Sequence, residues 1–264
     1  MTITLFQVDS FAREPFKGNP AGVCVLDHPA DEKWMQNLAM EMNLSETAFL
    51  WPERDEYRLR WFTPSFEIAL CGHGTLAAAH ILWEQKYLKE HEVAKFITKS
   101  GILSAQKRGT KIFMDFPSQP PKPCPVPPSL QDLSIGNILY CGTNYQDDLL
   151  VEIESEALVR DFQPKFDTLQ SLARRGFIIS AKSSHEGYDF VSRFFACDAG
   201  FDEDPVTGSA HCCLAPYWAE KLGKNNLVGL QTSKRSGFVG CELKSDRVIL
   251  NGTALTIFRI ELLI

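Results

Sequence analysis

The chain has 264 residues, 44% of them hydrophobic and 23% charged, with a net charge of −6. That leaves room for two domains of about 100–150 residues, each with its own core, and the balance is that of an ordinary soluble globular protein. The charge is spread along the chain, and no basic cluster exceeds Lys107-Arg108 with Lys111, so nucleic acid and anionic membrane are excluded as partners; no apolar run approaches the ~18 residues of a membrane span.

Met1 to Val8 alternates like a strand and carries no basic n-region or cleavage site, so no signal peptide is read there. The eight cysteines show no disulfide framework, and a reducing cytoplasm with free thiols is expected. Strands are predicted at 2–8, 22–26, 47–51, 57–63, 95–99, 102–107 and 111–116. A helix fits 32–42, opened by Asp31 and carrying Trp34, Leu38 and Met42 at helical spacing. A second, about 73–87, is apolar on nearly every side, which predicts a helix buried inside a curved sheet.

Seven of the fifteen prolines fall between Pro117 and Pro128. This stretch reads as an extended, semi-rigid linker between a lobe over 1–116 and a lobe over 129–264. In the second lobe, strands are predicted near 137–141, 149–153, 176–180, 188–195, 226–231, 237–243, 247–251 and 254–261, with helices near 164–174 and 207–222. Pro216 removes one hydrogen bond from the latter and is expected to kink it. The last strand is allowed to cross back to the first lobe. Short links between consecutive strands favour antiparallel pairing.

One short string occurs twice. Cys71-Gly72-His73-Gly74-Thr75 and Thr207-Gly208-Ser209-Ala210-His211 each put a glycine and a polar residue at a helix start, with small residues following. A single offset pairs Gly72 with Gly208, His73 with Ser209, Ala79 with Ala215 and Glu84 with Glu220. The chain therefore reads as two halves of one design, whose helix N-termini could offer unpaired N–H groups to an anion in one cleft.

Three places carry candidate chemistry. Glu46, between Leu44 and Ala48-Phe49-Leu50, is expected at the edge of an apolar environment, where a carboxyl pKa rises and the group can shuttle protons; a solvated or capping glutamate is the alternative. His73 lies between two glycines at a helix start, where the dipole disfavours its imidazolium form; a helix-capping histidine is the alternative. Asp202-Glu203-Asp204 precede Pro205-Val206-Thr207-Gly208-Ser209, which reads either as simple capping or as a site with hydroxyls and bare backbone. Gly18-Asn19-Pro20-Ala21-Gly22 by itself is a turn. Cys71, His73, His80 and His211-Cys212-Cys213 lack the paired spacing of a structural zinc site, so no metal is expected. No phosphate-binding glycine loop is present, so no nucleotide cofactor is expected.

With these residues in view, the chain resembles the phenazine-biosynthesis isomerase family, the PhzF-like proteins. The resemblance runs nearly end to end, through Val8-Asp9-Ser10-Phe11, Pro15-Phe16-Lys17-Gly18-Asn19-Pro20-Ala21-Gly22-Val23, Leu44-Ser45-Glu46-Thr47-Ala48-Phe49, Phe62-Thr63-Pro64, Cys71-Gly72-His73, Glu203-Asp204-Pro205-Val206-Thr207-Gly208-Ser209-Ala210 and Gly252-Thr253-Ala254. It implies an α+β, diaminopimelate epimerase-like fold: two similar domains, each a curved, mostly antiparallel sheet or barrel around a central helix. It also implies a cofactor- and metal-independent isomerase that moves a proton within a small carboxylate-bearing molecule; the family's best-known substrate is a cyclic dihydro-hydroxyanthranilate. On the resemblance, Glu46, His73 and Asp204 are the catalytic set, and Gly72, Gly74, Gly208, Ser209 and Asn19 bind substrate. A homodimer is allowed for. Diaminopimelate epimerase is the contrast, because it uses two cysteine bases. Cys71 stands where its first would be and Pro205 where its second would be. An amino-acid epimerase, or a non-catalytic binding or interaction protein on the same fold, stays as the alternative.

Overall fold

The computed structural model describes residues 3–172, 175–197 and 203–263, with backbone alone at 131 and 132. By its internal contacts the chain divides into two units, Met1–Asp115 with Asn251–Ile264, and Phe116–Leu250.

In the first unit, β1 (Thr4–Ser10) pairs antiparallel with β2 (Asn19–Val25) on one side and with the chain's last strand, Ala254–Glu261, on the other. Asp31 opens α1 (Glu32–Met42): its carboxylate accepts from the Trp34 N–H at 3.1 Å, and Asn43 closes the helix in the left-handed conformation. Met35, Leu38 and Ala39 then turn inward onto a core with Leu5, Phe49, Trp51 and Phe62. The helix is a crossover, so β3 (Glu46–Glu53) emerges parallel to β2. β4 (Glu56–Phe62) returns antiparallel to β3, followed by a two-residue β5 (Glu67–Ile68).

The second crossover is α2 (Gly72–Glu84), after which β6 (Ala94–Thr98) runs parallel to β4. β7 (Gly101–Arg108) and β8 (Lys111–Pro117) complete an antiparallel meander. The side chains of α2 from His73 to Ala79 and from Ile81 to Trp83 are buried, and the helix packs on β1, β2 and β3. This is the all-round burial its composition predicts. It stops at Glu84 rather than at 87, because Lys86 turns to φ 63°, which no helix can carry.

The second unit repeats the plan. Part of the proline-rich segment is hydrogen-bonded rather than a bare spacer. Lys122–Pro123 form β9 against β10 (Ile138–Thr143), and Pro128–Leu133 wind into a 3-10 turn. Proline is tolerated in so short a strand at a sheet edge, where its missing N–H is not needed. β11 (Asp148–Ile153) is antiparallel to β10, and the helices α3 (Glu156–Asp161) and α4 (Phe166–Leu172) lead to β12 (Gly176–Lys182), parallel to β11. The single helix expected near 164–174 is thus a later piece of a two-helix crossover; α4 begins just after Pro164, and 173–174 lie outside the described residues.

β13 (Phe190–Ala196) is antiparallel to β12 and pairs with the short β14 (Glu203–Asp204). α5 (Gly208–Leu222) is the next crossover, and β15 (Asn226–Gln231) runs parallel to β13. β16 (Gly237–Lys244) and β17 (Arg247–Gly252) follow. α5 runs through Pro216 without interruption, with Trp218 stacked on Phe190 at 5.7 Å. Leu149, Val151, Phe177, Ile179 and Phe195 centre this unit's core. Each unit is therefore a mostly antiparallel sheet with two helical crossovers, the second of them buried, which is the α+β class expected. No helix among the described residues is long and apolar enough to cross a membrane.

Candidate active site

The start of α2 gathers three buried polar side chains from far apart in sequence. β2 and β3 run parallel with Ala21 opposite Glu46, so Asn19 and Glu46, the first residues of their strands, lie at the same end of the sheet. His73, in the first turn of α2, sits between them. Its Nε2 is 2.9 Å from the Glu46 carboxylate, and its Nδ1 is 3.1 Å from the Asn19 Nδ2. The Ser10 hydroxyl donates to the His73 carbonyl at 2.8 Å and fixes the backbone beneath the ring. With the Asn19 amide turned so that its oxygen accepts from Nδ1–H, and the Nε2 hydrogen facing Glu46, both ring nitrogens can carry hydrogen. Among the described residues, buried Glu46 Oε2 has no polar partner beyond this contact.

Cys71 caps α2: its sulfur accepts from the Gly74 N–H at 3.2 Å and lies 3.6 Å from His73 Nδ1. Burial pushes the Cys71 thiol up, and Glu46 adds to this. Burial likewise opposes charge on His73, but the Cys71 sulfur and the Glu46 carboxylate raise its pKa well above the ordinary value. With the thiol itself held protonated, the carboxylate is the partner that sustains the imidazolium. This corrects the expectation that the helix dipole disfavours the charged ring: a full charge at 2.9 Å outweighs about half a charge spread over a helix end.

Gly74 has a packing reason of its own. A Cβ there would come within 2.8 Å of the Trp61 ring and 2.9 Å of the Cys71 sulfur. Gly72 is the first residue of α2. Glu46, Cys71 and His73 place one donor atom each within 4.8 Å of one another and could hold a metal ion. Pairing rules between Cys and His could not reveal this group, because its third member is a glutamate from another strand.

At the start of α5 the second unit builds a different cap. Thr207 occupies the N-cap position but makes no side-chain cap; its hydroxyl donates to Asp204 Oδ2 at 2.5 Å. Buried Gln231, at the end of β15, accepts from the Thr207 N–H at 2.9 Å and donates to the Asp204 carbonyl at 2.7 Å. Asp204 is thus not the capping residue of α5, and Asp202 lies outside the described residues. Gly208 and Ser209 form the first turn, and the Ser209 hydroxyl accepts from Arg175 Nη1 and Nη2 at 3.2 and 3.3 Å. His211, one turn on, bonds through Nδ1 to the Thr207 carbonyl at 2.8 Å, and burial lowers its pKa to about 4.

Asn19, Glu46 and His73 are therefore brought together, as are Asp204, Thr207, Gly208 and Ser209. Gln231 and Arg175 are participants that motif reading did not single out, and Ser10 lies inside a family stretch with no role given to it. The only signal of the first two is a polar side chain in an otherwise apolar strand or beside one.

A family model described as phenazine biosynthesis-like protein matches residues 8–259. An uncharacterized isomerase from Halalkalibacterium halodurans is 52% identical over 266 residues, covering 100% of each chain. This chain belongs to the phenazine biosynthesis-like family. Its PhzF-family resemblance extends to structure: a crystal structure of a family protein from Enterococcus faecalis superposes with a TM-score of 0.94 at 40% identity, covering 100% of both chains. A hydroxyproline epimerase from Agrobacterium vitis shares the fold of this family member with a TM-score of 0.66, covering 98% of this chain and 92% of that one, at 11% identity. That likeness supports the epimerase-like fold class and nothing finer.

Proposed function

We propose that this family member is an isomerase that moves a proton within a small carboxylate-bearing, cyclic and unsaturated molecule, with Glu46 as the carrier. The observation that carries the reading is the buried Glu46–His73 pair, 2.9 Å apart at the start of α2. Glu46 takes the proton from carbon, the electron pair shifts through the adjacent double bond, and Glu46 returns the proton at the far end. One base that takes and gives back suffices, because both positions lie on one face of the substrate. The His73 imidazolium stays beside the carboxylate, and Asn19 fixes the ring that carries it. A positive charge held there also favours the enolate-like intermediate.

Asp204, Gly208 and Ser209 are assigned to substrate binding on the family resemblance, with first-turn N–H groups of α5 available to a carboxylate. No step of this scheme calls on a cofactor. Names given to relatives, isomerase among them, support the reaction class.

A thiol-based epimerase is the competing reading, because Cys71 lies in the same cluster. Its thiol is pushed up and already accepts the Gly74 N–H, and Pro205 stands where a second thiol would be needed. Deuterium incorporation into candidate cyclic carboxylic acids, followed by NMR in deuterated water, separates the two. Loss of exchange in Glu46→Gln supports the carboxylate; loss in a folded Cys71→Ala with an active Glu46→Gln supports the thiol.

A further inference from the structure

We propose that Arg175 is a positioning residue that fixes Ser209 as a hydrogen-bond donor to the substrate's carboxylate. The inference rests on the reading above, which puts Ser209 on the substrate. Arg175 stands just ahead of β12, and its guanidinium bridges two partners. One is Asp148, a fully buried carboxylate. The other is the Ser209 hydroxyl oxygen, reached by both Nη atoms at 3.2 and 3.3 Å.

The bridge is anchored from below. Asn144 donates to Asp148 Oδ2 at 2.9 Å and accepts from the Asp148 N–H at 3.0 Å, and it also donates to Gln119 at 3.1 Å. The Phe194 ring lies 5.6 Å from the guanidinium carbon. Asp148 therefore holds the arginine, and the arginine holds the serine.

The chemistry of the hydroxyl decides the direction. A serine oxygen has one hydrogen to donate and two lone pairs to accept with, whereas a guanidinium has only donors. Two Arg175 N–H groups facing Ser209 Oγ occupy its acceptor side, so its hydrogen has to point elsewhere. Among the described residues no acceptor takes it. A group that accepts strongly and carries the complementary charge is a carboxylate, and the cation behind the hydroxyl strengthens that bond. A residue that only neutralised buried Asp148 would have no need of a fork; a lysine would serve.

The test uses benzoate as a cyclic carboxylate and benzamide as its neutral counterpart, titrated by ligand-observed NMR. Wild type, Ser209→Ala, Arg175→Gln, Arg175→Lys and the Ser209→Ala/Arg175→Gln pair are compared. Each single change, Arg175→Lys included, is expected to weaken benzoate about 10-fold. Adding Arg175→Gln to Ser209→Ala is expected to cost less than about 2-fold more, because the arginine acts through the serine. Full rescue by lysine, or an equal loss from Arg175→Gln with and without Ser209, overturns the proposal and leaves Arg175 as the counter-charge of Asp148. Wild type that fails to prefer benzoate over benzamide overturns the carboxylate reading itself. Should Arg175→Gln fail to fold with Asp148 left unpaired, the comparison is made in the Asp148→Asn background, where Arg175→Gln removes the second charge of the pair.

Discussion

Glu46 and His73 are linked as a pair of charges, so altering one must move the other. In the native protein His73 is expected to keep its proton well above pH 6.5, because its neighbours Cys71 and Glu46 together outweigh burial. In Glu46→Gln that carboxylate is gone while burial remains, so the His73 pKa should fall. NMR titration of the imidazole carbons reads this directly; an unmoved titration would mean that another group sustains the charge.

His211 behaves in the opposite sense. It is buried beside its Thr207 carbonyl with a pKa of about 4, so it stays neutral in the folded state while the unfolded chain takes up a proton near 6.5. The unfolded state binds more protons between those values, and stability therefore falls as pH drops from 6.5 to 4, by on the order of 3 kcal/mol. His80, also lowered by burial, acts in the same direction. The raised pKa of His73 works oppositely: its contribution is full below 6.5 and is lost as pH rises through the folded value. Urea unfolding from pH 7 to 4 should show a shallower decline in His211→Leu than in the native chain, and equal slopes would contradict the assignment.

Elements with enough residues to show a period were legible in the sequence. α1 is bounded by Asp31 and Asn43 as its polar caps and inward face dictate, and α2 declares its burial by being apolar all round. α3 was not, since six residues, Glu156–Asp161, make too few turns to reveal a face. The two-residue strands β5, β9 and β14 exist only through their partners. The pairing of β9 with β10 makes a chemical prediction. Gly142 faces Pro123, the Cys124 N–H donates to the Cys141 carbonyl at 3.0 Å, and the two sulfurs lie 3.6 Å apart. Diamide should join Cys124 to Cys141 before any other pair, seen as a loss of 2 Da and one linked peptide. A different linked pair would show that the register is shifted.

At the scale of the whole chain, the repeated string around Gly72 and Gly208 corresponds to a repeated connection: parallel strands joined through α2 in one unit and through α5 in the other. The glycine-led helix starts and the end-to-end family motifs were open to sequence reading. The site's internal chemistry was not. Glu46 reaches His73 only through the parallel pairing of β2 and β3, Gln231 reaches Thr207 across a helix, and the two caps differ because one uses a sulfur and the other gives its hydroxyl to Asp204. Long-range register decides such contacts, and it has no local signature. The same register groups Glu46, Cys71 and His73 as candidate metal donors. If the cluster is a proton relay, exhaustive chelation should leave turnover unchanged. Stoichiometric zinc by mass spectrometry, with activity lost on its removal and restored on its return, would make it a metal centre instead.

The central claim is that the Glu46 carboxylate carries the proton. Its most direct test is deuterium wash-in by NMR, comparing the native chain with Glu46→Gln and Cys71→Ala on a cyclic unsaturated carboxylic acid that the native chain exchanges. The account predicts at least a ~10²-fold loss in Glu46→Gln while the variant stays folded, and most of the exchange rate retained in Cys71→Ala. Native-like exchange in Glu46→Gln, with none in a folded Cys71→Ala, would contradict it.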